Sequence, residues 1–351
     1  MKKQFLQVPF QIGNCTLPNN IFYAPLAGCS DFPFRKMSAQ YSKKYRPGLI
    51  FCEMVKMDAL VRNDPVTFHM LDFDKEMHPI AAQLCGSKPS LAGPCAKIIE
   101  SLGFDTVDLN CGCPVDKVTK DGSGSGLLKN PSLIGEIICN MVAAVKIPVT
   151  LKIRAGWDET QIVGKELTII AEQAGACAIC IHGRTRKQGY KGPANWDYIK
   201  ECKEVAKSIK IIGNGDVTDG PSAARMFEYT GCDAVLVARA TLGRPWIGEE
   251  IIHHLLNEEI VEEGPKQLHQ ALIEHFMYTQ GYHNPKRVSL DMRRVGCWYF
   301  KKSSGTRHFR DAISRASSLH EVESIISDFS LENFTVDPNE KKAEEACQDE
   351  C

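Results

Sequence analysis

The chain has 351 residues and 43% hydrophobic composition, enough apolar sequence to bury the core of one large domain or of a large and a small one. With 42 Lys and Arg against 43 Asp and Glu the net charge is −1, which excludes a uniformly basic nucleic-acid coat and leaves only a local basic patch. No apolar run approaches the ~18 residues of a membrane span, Met1-Lys-Lys-Gln lacks the apolar segment of a signal peptide, and the 15 cysteines lie mostly in apolar runs, as free thiols in a reducing cytoplasm would.

Phe10 to Leu17, with a Gly13-Asn14 turn, predicts a small hairpin. Short apolar runs then recur about every 30 residues: Ile21–Pro25, Leu49–Glu53, Ile80–Leu84, Thr106–Asn110, Val149–Ile153, Ala178–His182, Ile211–Asn214 and Ala234–Ala238. Each is β-branched or fully apolar, as a strand buried on both faces should be. Helical segments lie between most of them. The clearest spans Pro131 to Val145, with Leu133, Ile134, Ile137, Ile138, Met141, Val142 and Val145 on one stripe behind an Asn130-Pro131 start. A second spans Val163–Ala174. Eight such alternations predict a (β/α)8 TIM barrel. A doubly wound open sheet shares the alternation, but no GxGxxG follows the first run.

After Arg244-Pro-Trp246 the pattern becomes helical and strand-poor, over Glu249–Leu256, Gln267–Tyr282, Leu290–Phe300 and Leu319–Phe329. Residues 1–247 therefore read as the barrel, 248–333 as a small all-α helical domain and 334–351 as a disordered tail.

Barrel chemistry sits at the carboxyl ends of the strands. Those ends hold Pro25-Leu26-Ala27-Gly28, Glu53, Gln83, Asn110 with Cys113, Lys152 with Arg154, His182 with Arg184, Asn214-Gly215-Asp216, and Ala238-Arg239. The loop from Asp108 to Gly126 gathers an amide, two thiols, Lys117, Lys120 and several glycines, where an ordinary βα loop would carry less chemistry. Lys152 and Arg154 are two apart and share a strand face, so their mutual repulsion calls for an anion in the pocket unless Arg154 lies exposed beyond the strand end. Asn214-Gly215-Asp216 and Ala238-Arg239 occupy the fold's usual phosphate quarter, with Gly213 and Gly215 otherwise serving as turn glycines. Cys177-x-x-Cys180 has superficial zinc spacing, but residues three apart on a strand face opposite ways, so no metal site is expected.

Pro25-Leu-Ala-Gly28, Asp108-Leu-Asn-Cys-Gly-Cys-Pro114, Leu151-Lys-Ile-Arg-Ala-Gly-Trp157, His182-Gly-Arg-Thr-Arg186, Gly213-Asn-Gly-Asp216 and Leu242-Gly-Arg-Pro-Trp246 together resemble the tRNA-dihydrouridine synthases. The resemblance runs from about Ile21 to Phe329 and is nearest the bacterial B-type branch. It implies an FMN enzyme, reduced by NADPH, that saturates the C5–C6 bond of D-loop uridines in tRNA. Cys113 matches the family's proton donor, and Asn110, Lys152, Arg154 and Arg184 its uracil contacts. Pro25, Leu26, Ala27, Gln83, Lys152 and His182 match the flavin-ring contacts, and Asn214, Gly215, Asp216, Ala238 and Arg239 the ribityl-phosphate site. Ala238 stands where many members have glycine, and Cys111 is an extra thiol read as a packing residue. A basic excess at Lys286, Arg287, Arg293, Arg294, Lys301, Lys302, Arg307, Arg310 and Arg315, with Lys117 and Lys120 on the loop, implies RNA contact. A monomer is expected.

Overall fold

The computed structural model describes residues 4–42, 44–260, 264–301, 303–329 and 335–336. Strands β1 (Phe10–Ile12) and β2 (Cys15–Leu17) form the expected antiparallel hairpin, turning at Gly13 with φ +55°. Eight parallel strands follow: β3 (Ile21–Tyr23), β4 (Leu49–Lys56), β5 (Ile80–Cys85), β6 (Thr106–Cys111), β7 (Val149–Arg154), β8 (Ala178–His182), β9 (Lys210–Asn214) and β10 (Ala234–Val237). They pair in chain order, and β10 closes on β3. The alternation therefore resolves as a closed barrel and not an open sheet. Strand β4 runs three residues beyond its expected end at Glu53, because its register against β5 shifts between Phe51 and Met54.

The barrel interior divides by polarity. Phe22, Leu49, Phe51, Ala178 and Ile212 fill the lower half together with Phe10, Ile12 and Leu17 of the hairpin, which plugs that end. Above them the inward positions are polar: Gln83, Asp108, Asn110, Thr150, His182 and Asn214, all buried. The hairpin thus leaves the carboxyl end as the open mouth.

The helices, in chain order, are α1 (Phe32–Gln40), α2 (Met57–Leu60), α3 (Pro65–Met70), α4 (Pro89–Ser101), α5 (Asp116–Thr119), α6 (Pro131–Val142), α7 (Gly164–Gln173), α8 (Asp197–Val205), α9 (Gly220–Thr230) and α10 (Ile247–Leu256). Helix α6 shows how the sequence sets them. Asn130 caps it, Pro131 fits its first turn, and Ile134, Ile137, Ile138 and Met141 bury one stripe against the strands. Helix α10 joins this same barrel core through Ile247, Ile251, Ile252 and Leu255.

A second core belongs to α11 (Pro265–Tyr282), α12 (Pro285–Tyr299), α13 (Arg307–Arg315) and α14 (Leu319–Ser327). Leu272, Met292, Phe300, Ile313 and Val322 lie inside it, joined by Met37 of α1 and by Trp246. Polar contacts reinforce the joint. His283 Nε2 lies 3.0 Å from Asp31 Oδ2, the Tyr282 ring stacks on Phe32 at 4.7 Å and on His69 at 4.2 Å, and Arg294 Nη2 donates to Gly28 O at 2.8 Å. Thr335–Val336 pairs with Ser303–Ser304, while Lys302 and the tail from 337 to 351 lie outside the described residues. No described helix is long and apolar enough to cross a membrane.

Candidate active site

Strand β6 and the loop after it build the centre of the mouth. Asp108 and Asn110 are two apart and point inward, whereas Leu109 and Cys111 point into the helix layer and are fully buried there. Burial pushes the Cys111 thiol well above its usual range, so it stays protonated and away from the mouth. The register sets Asp108 between Gln83 of β5 and Thr150 of β7, and Asn110 beside Lys152. Gln83 Nε2 donates to Asp108 Oδ2 at 2.7 Å and Thr150 Oγ1 to Asp108 Oδ1 at 2.6 Å. Asn110 Nδ2 donates to Gln83 Oε1 at 2.7 Å, and Asn110 Oδ1 accepts from the N–H groups of Gly112 (3.1 Å) and Cys113 (2.9 Å).

Those bonds, with others, fix the backbone that carries Cys113. Its carbonyl accepts from Ser125 N at 3.0 Å and from Ser125 Oγ at 2.9 Å. Arg154, only 2% exposed, donates through Nε to Gly112 O at 3.1 Å and through Nη1 to Thr185 O at 2.9 Å and Gly189 O at 2.8 Å. Both cations of the Lys152–Arg154 pair therefore turn into the mouth, and Arg154 ties the Cys113 loop to the loop after β8. Arg186 adds an ion pair to Asp116 of α5 and lies 4.7 Å over the Trp157 ring. The Cys113 side chain is partly exposed and interacts electrostatically with both Lys152 and Arg154. Lys117 and Lys120 are exposed on the outer side of this loop.

Lys152 is a partly exposed cation of the mouth. Among the described residues its Nζ meets no hydrogen-bond acceptor. Burial lowers its pKa, opposed by the Cys180 thiol, the Asp108 carboxylate and the Cys113 thiol, and reinforced by Arg154. Burial also pushes Asp108 up to about 6, against its bonds from Thr150 and Gln83 and the charge of Lys152. For His182, burial and the charges of Lys152, Arg154, Arg184 and Arg239 push the imidazole well below its usual range, so it is neutral.

The loops after β8, β9 and β10 form the other side. Arg184 is 3% exposed and donates through Nη2 to Gly192 O at 2.6 Å and to Asp216 Oδ2 at 2.9 Å. Asp216 also accepts from Ala194 N at 2.7 Å, and Asn214 Nδ2 donates to Leu236 O at 2.8 Å. Gly215 has φ +116°, and a Cβ there would stand 2.8 Å from Ala194 Cβ, so only glycine fits the turn. Arg239 is 42% exposed, 3.7 Å from Asp216 and 4.7 Å over the Tyr190 ring. At the β3 end, Pro25 and Leu26 are partly exposed and Ala27 is exposed. Glu53 accepts from Gly28 N, and burial raises its pKa, as does Asp31.

A family model for dihydrouridine synthases matches residues 22–335. The chain belongs to the dihydrouridine synthase family. It is 37% identical over 307 residues to tRNA-dihydrouridine synthase B of Pseudomonas aeruginosa, covering 87% of this chain and 91% of that protein. With the Proteus vulgaris tRNA-dihydrouridine synthase B it shares 36% identity over 325 residues, 91% of this chain and 99% of that one. Among solved structures, morphinone reductase shares the fold at a TM-score of 0.51 and 15% identity, over 74% of this chain and 91% of that chain. Histamine dehydrogenase from Rhizobium sp. 4-9 does so at 0.55 and 13%, over 85% of this chain and 51% of that chain.

Seen in this dihydrouridine synthase, the residues expected to bind divide into two groups. Gln83, Asn110, Cys113, Lys152, Arg154, His182 and Arg184 converge on the mouth, whereas the arginines of α12 are bonded within the protein. Arg287 Nε donates to Asp291 Oδ2 at 2.6 Å, Arg293 Nε to Ala316 O at 2.6 Å, and Arg294 Nη2 to Asp291 Oδ1 at 2.9 Å and to Gly28 O. Lys286 is exposed. Asp31, His283 and Asp291 come within 4.8 Å of one another, but Asp31 caps α1 and Asp291 is held by two arginines. Sequence reasoning gave no role to Asp108, Thr150 or Tyr190. The first two were legible from strand parity, since they lie two before Asn110 and Lys152. Tyr190, whose ring lies 5.5 Å from the Arg154 guanidinium and 4.7 Å from that of Arg239, had no local signal.

Proposed function

We propose that this protein is a B-type tRNA-dihydrouridine synthase, which uses FMN and NADPH to reduce the C5–C6 bond of D-loop uridines in tRNA to 5,6-dihydrouridine. The observation that carries the reading is the pairing of a held, partly exposed Cys113 with a partly exposed Lys152 ammonium that, among the described residues, has no hydrogen-bond acceptor. Such an ammonium fits a flavin ring, whose pyrimidine edge gathers negative charge. Gln83, Lys152 and His182 would contact that ring, and Pro25, Leu26 and Ala27 would seat it. Asn214, Gly215, Asp216, Ala238 and Arg239 would hold the phosphate. The side chains of Asn214 and Asp216 are already spent, so their contribution would come through the backbone. When bound, the flavin supplies the two electrons for uracil and NADPH replaces them.

The chain's own residues would do the rest. Arg184, Lys152 and Arg154 would orient the uracil and favour charge on its carbonyls. Asn110 is committed to Gln83 and to the backbone of Cys113, which supports it as the holder of the thiol more than as a base contact. Cys113 Sγ would give its proton to uracil C5 as the general acid. The uridine must leave its stack to reach this depth. The two cores support a barrel unit, with α10, that carries the chemistry, and a helical unit, α11–α14, that binds RNA through exposed cations such as Lys286 and Arg287, with Lys117 and Lys120 across the mouth. Arg293 and Arg294, already bonded within the protein, would add positive field there. The deciding experiment is Cys113→Ala, expected to keep bound flavin and its reduction by NADPH while forming almost no dihydrouridine. Wild-type turnover by that variant overturns the assignment.

A further inference from the structure

Asp108 lies too deep to touch a uridine, yet it ends a continuous chain of hydrogen bonds that begins at Cys113. We propose that Asp108 is a positioning residue: by accepting from Gln83 it orients the Gln83–Asn110 amide pair and so holds the backbone of Cys113 in place. The inference rests on the function proposed above.

The argument is one of direction. At one end the N–H groups of Gly112 and Cys113 can only donate, and Asn110 Oδ1 takes both, at 3.1 and 2.9 Å. At the other end a carboxylate can only accept, and Asp108 takes Gln83 Nε2 at 2.7 Å. Between them stand two carboxamides, each with one donor end and one acceptor end, joined at 2.7 Å. Only one orientation of both amides makes every bond donor to acceptor. Turning either sets oxygen against oxygen or N–H against N–H. The chain is buried: Gln83 and Asp108 are 1% exposed and Asn110 is 8%, so water does not readily replace a lost partner. Without an acceptor at position 108, Gln83 is free to turn away, Asn110 Nδ2 keeps only its weak bond to Met54 Sδ at 3.6 Å, and the grip on the Cys113 N–H loosens.

Asp108 also supplies charge near Lys152, and two variants separate the roles. Asp108→Asn and Asp108→Leu both remove the charge, and both are close to Asp in shape. Only Asn keeps an acceptor for Gln83, because the Thr150 hydroxyl can turn from donor to acceptor and receive the new N–H. Two quantities are measured on the purified holoenzymes: the alkylation rate of Cys113 by iodoacetamide, mapped by mass spectrometry, and kcat against KM for tRNA.

Asp108→Asn is expected to stay within about threefold of wild type in both, and Asp108→Leu to change the alkylation rate and lower kcat by about tenfold or more at little-changed KM. Asp108→Ala is the second acceptor-free variant should Leu fail to fold. If Asn behaves as Leu does, charge is what matters and the proposal is overturned. It is overturned equally if the acceptor-free variants keep wild-type alkylation and kcat. Absence of dihydrouridine formation by the wild-type enzyme would refute the proposed function, while Cys113 alkylation would still read the relay.

Discussion

Gly124→Ala asks whether the packing beneath Cys113 sets the position of the thiol. Gly124 has φ +57°, and a methyl there would lie 2.9 Å from the Cys113 carbonyl oxygen, 2.9 Å from Val118 Cγ1 and 3.1 Å from Cys113 Cβ. Left-handed backbone costs an L-residue about 1–2 kcal/mol, and an extra methyl in a filled space adds about 1–3 kcal/mol. A few tenths of an ångström of loop movement relieves the contact, and that is cheaper than unfolding a barrel whose core lies elsewhere. The strain should therefore appear as a displaced thiol. We expect a Tm within a few degrees of wild type, retained flavin with normal reduction by NADPH, and tRNA-dependent turnover about 10–100-fold lower, since each tenfold needs about 1.4 kcal/mol of the barrier. Gly103→Ala is the control. It has φ +92° but meets only Phe73 Cζ, at 3.9 Å, so it adds backbone strain far from Cys113 and should leave turnover intact. Wild-type turnover by Gly124→Ala would refute the claim that this packing places Cys113.

Three further outcomes follow from the same geometry. His275 is buried in the helical core, 3.1 Å from Tyr299 Oη, and burial pushes its pKa down to about 4. An unfolded histidine titrates at about 6.5, so the stabilising effect of neutral His275 is present above that pH and lost as pH falls toward 4. Relative to His275→Gln, wild type should lose up to about 3 kcal/mol in urea titrations across that window, and parallel pH profiles would refute it. Arg294→Ala removes the bonds to Gly28 O and Asp291, and should lower stability by about 1–3 kcal/mol and weaken flavin retention; unchanged flavin content and Tm would disprove coupling between the helical unit and the β3 loop. Binding of tRNA should weaken steeply with salt, and Lys286→Glu should lessen the slope of log K against log salt by about 1. A slope unaltered by that substitution would remove Lys286 from the contact surface.

Eight strands, the closing hairpin and the polar strand ends were legible in the sequence because each rests on a local rule. Apolar runs of five or six residues fix a buried strand, and residues two apart on it share a face. Lys152 with Arg154 was read that way, and the same parity would have found Asp108 below Asn110. Strand β4 outran its expected end because a register shift is a property of the pair of strands, not of either one. Helix α13 went unread because Phe309 and Ile313 alone mark its buried side, within a run dominated by charge.

The choice between the two thiols shows where local reading stops. Both follow Asn110 within three residues, and only the length of β6 decides that Cys111 belongs to the strand and faces the helices while Cys113 belongs to the mouth. Strand parity put Arg154 at the mouth, but the acceptors that hold its guanidinium lie 31, 35 and 42 residues away in sequence, on two other loops. Arg294 reaches across 266 residues to Gly28. Composition and periodicity determined that a barrel forms and which residues reach its mouth. Closure of that barrel decided which of those residues hold one another and which, as Lys152 does, keep a charge with no hydrogen-bond acceptor among the described residues. The reason is physical: a hydrogen bond depends on where two strands or loops meet in space, and no period along one chain segment encodes the position of another.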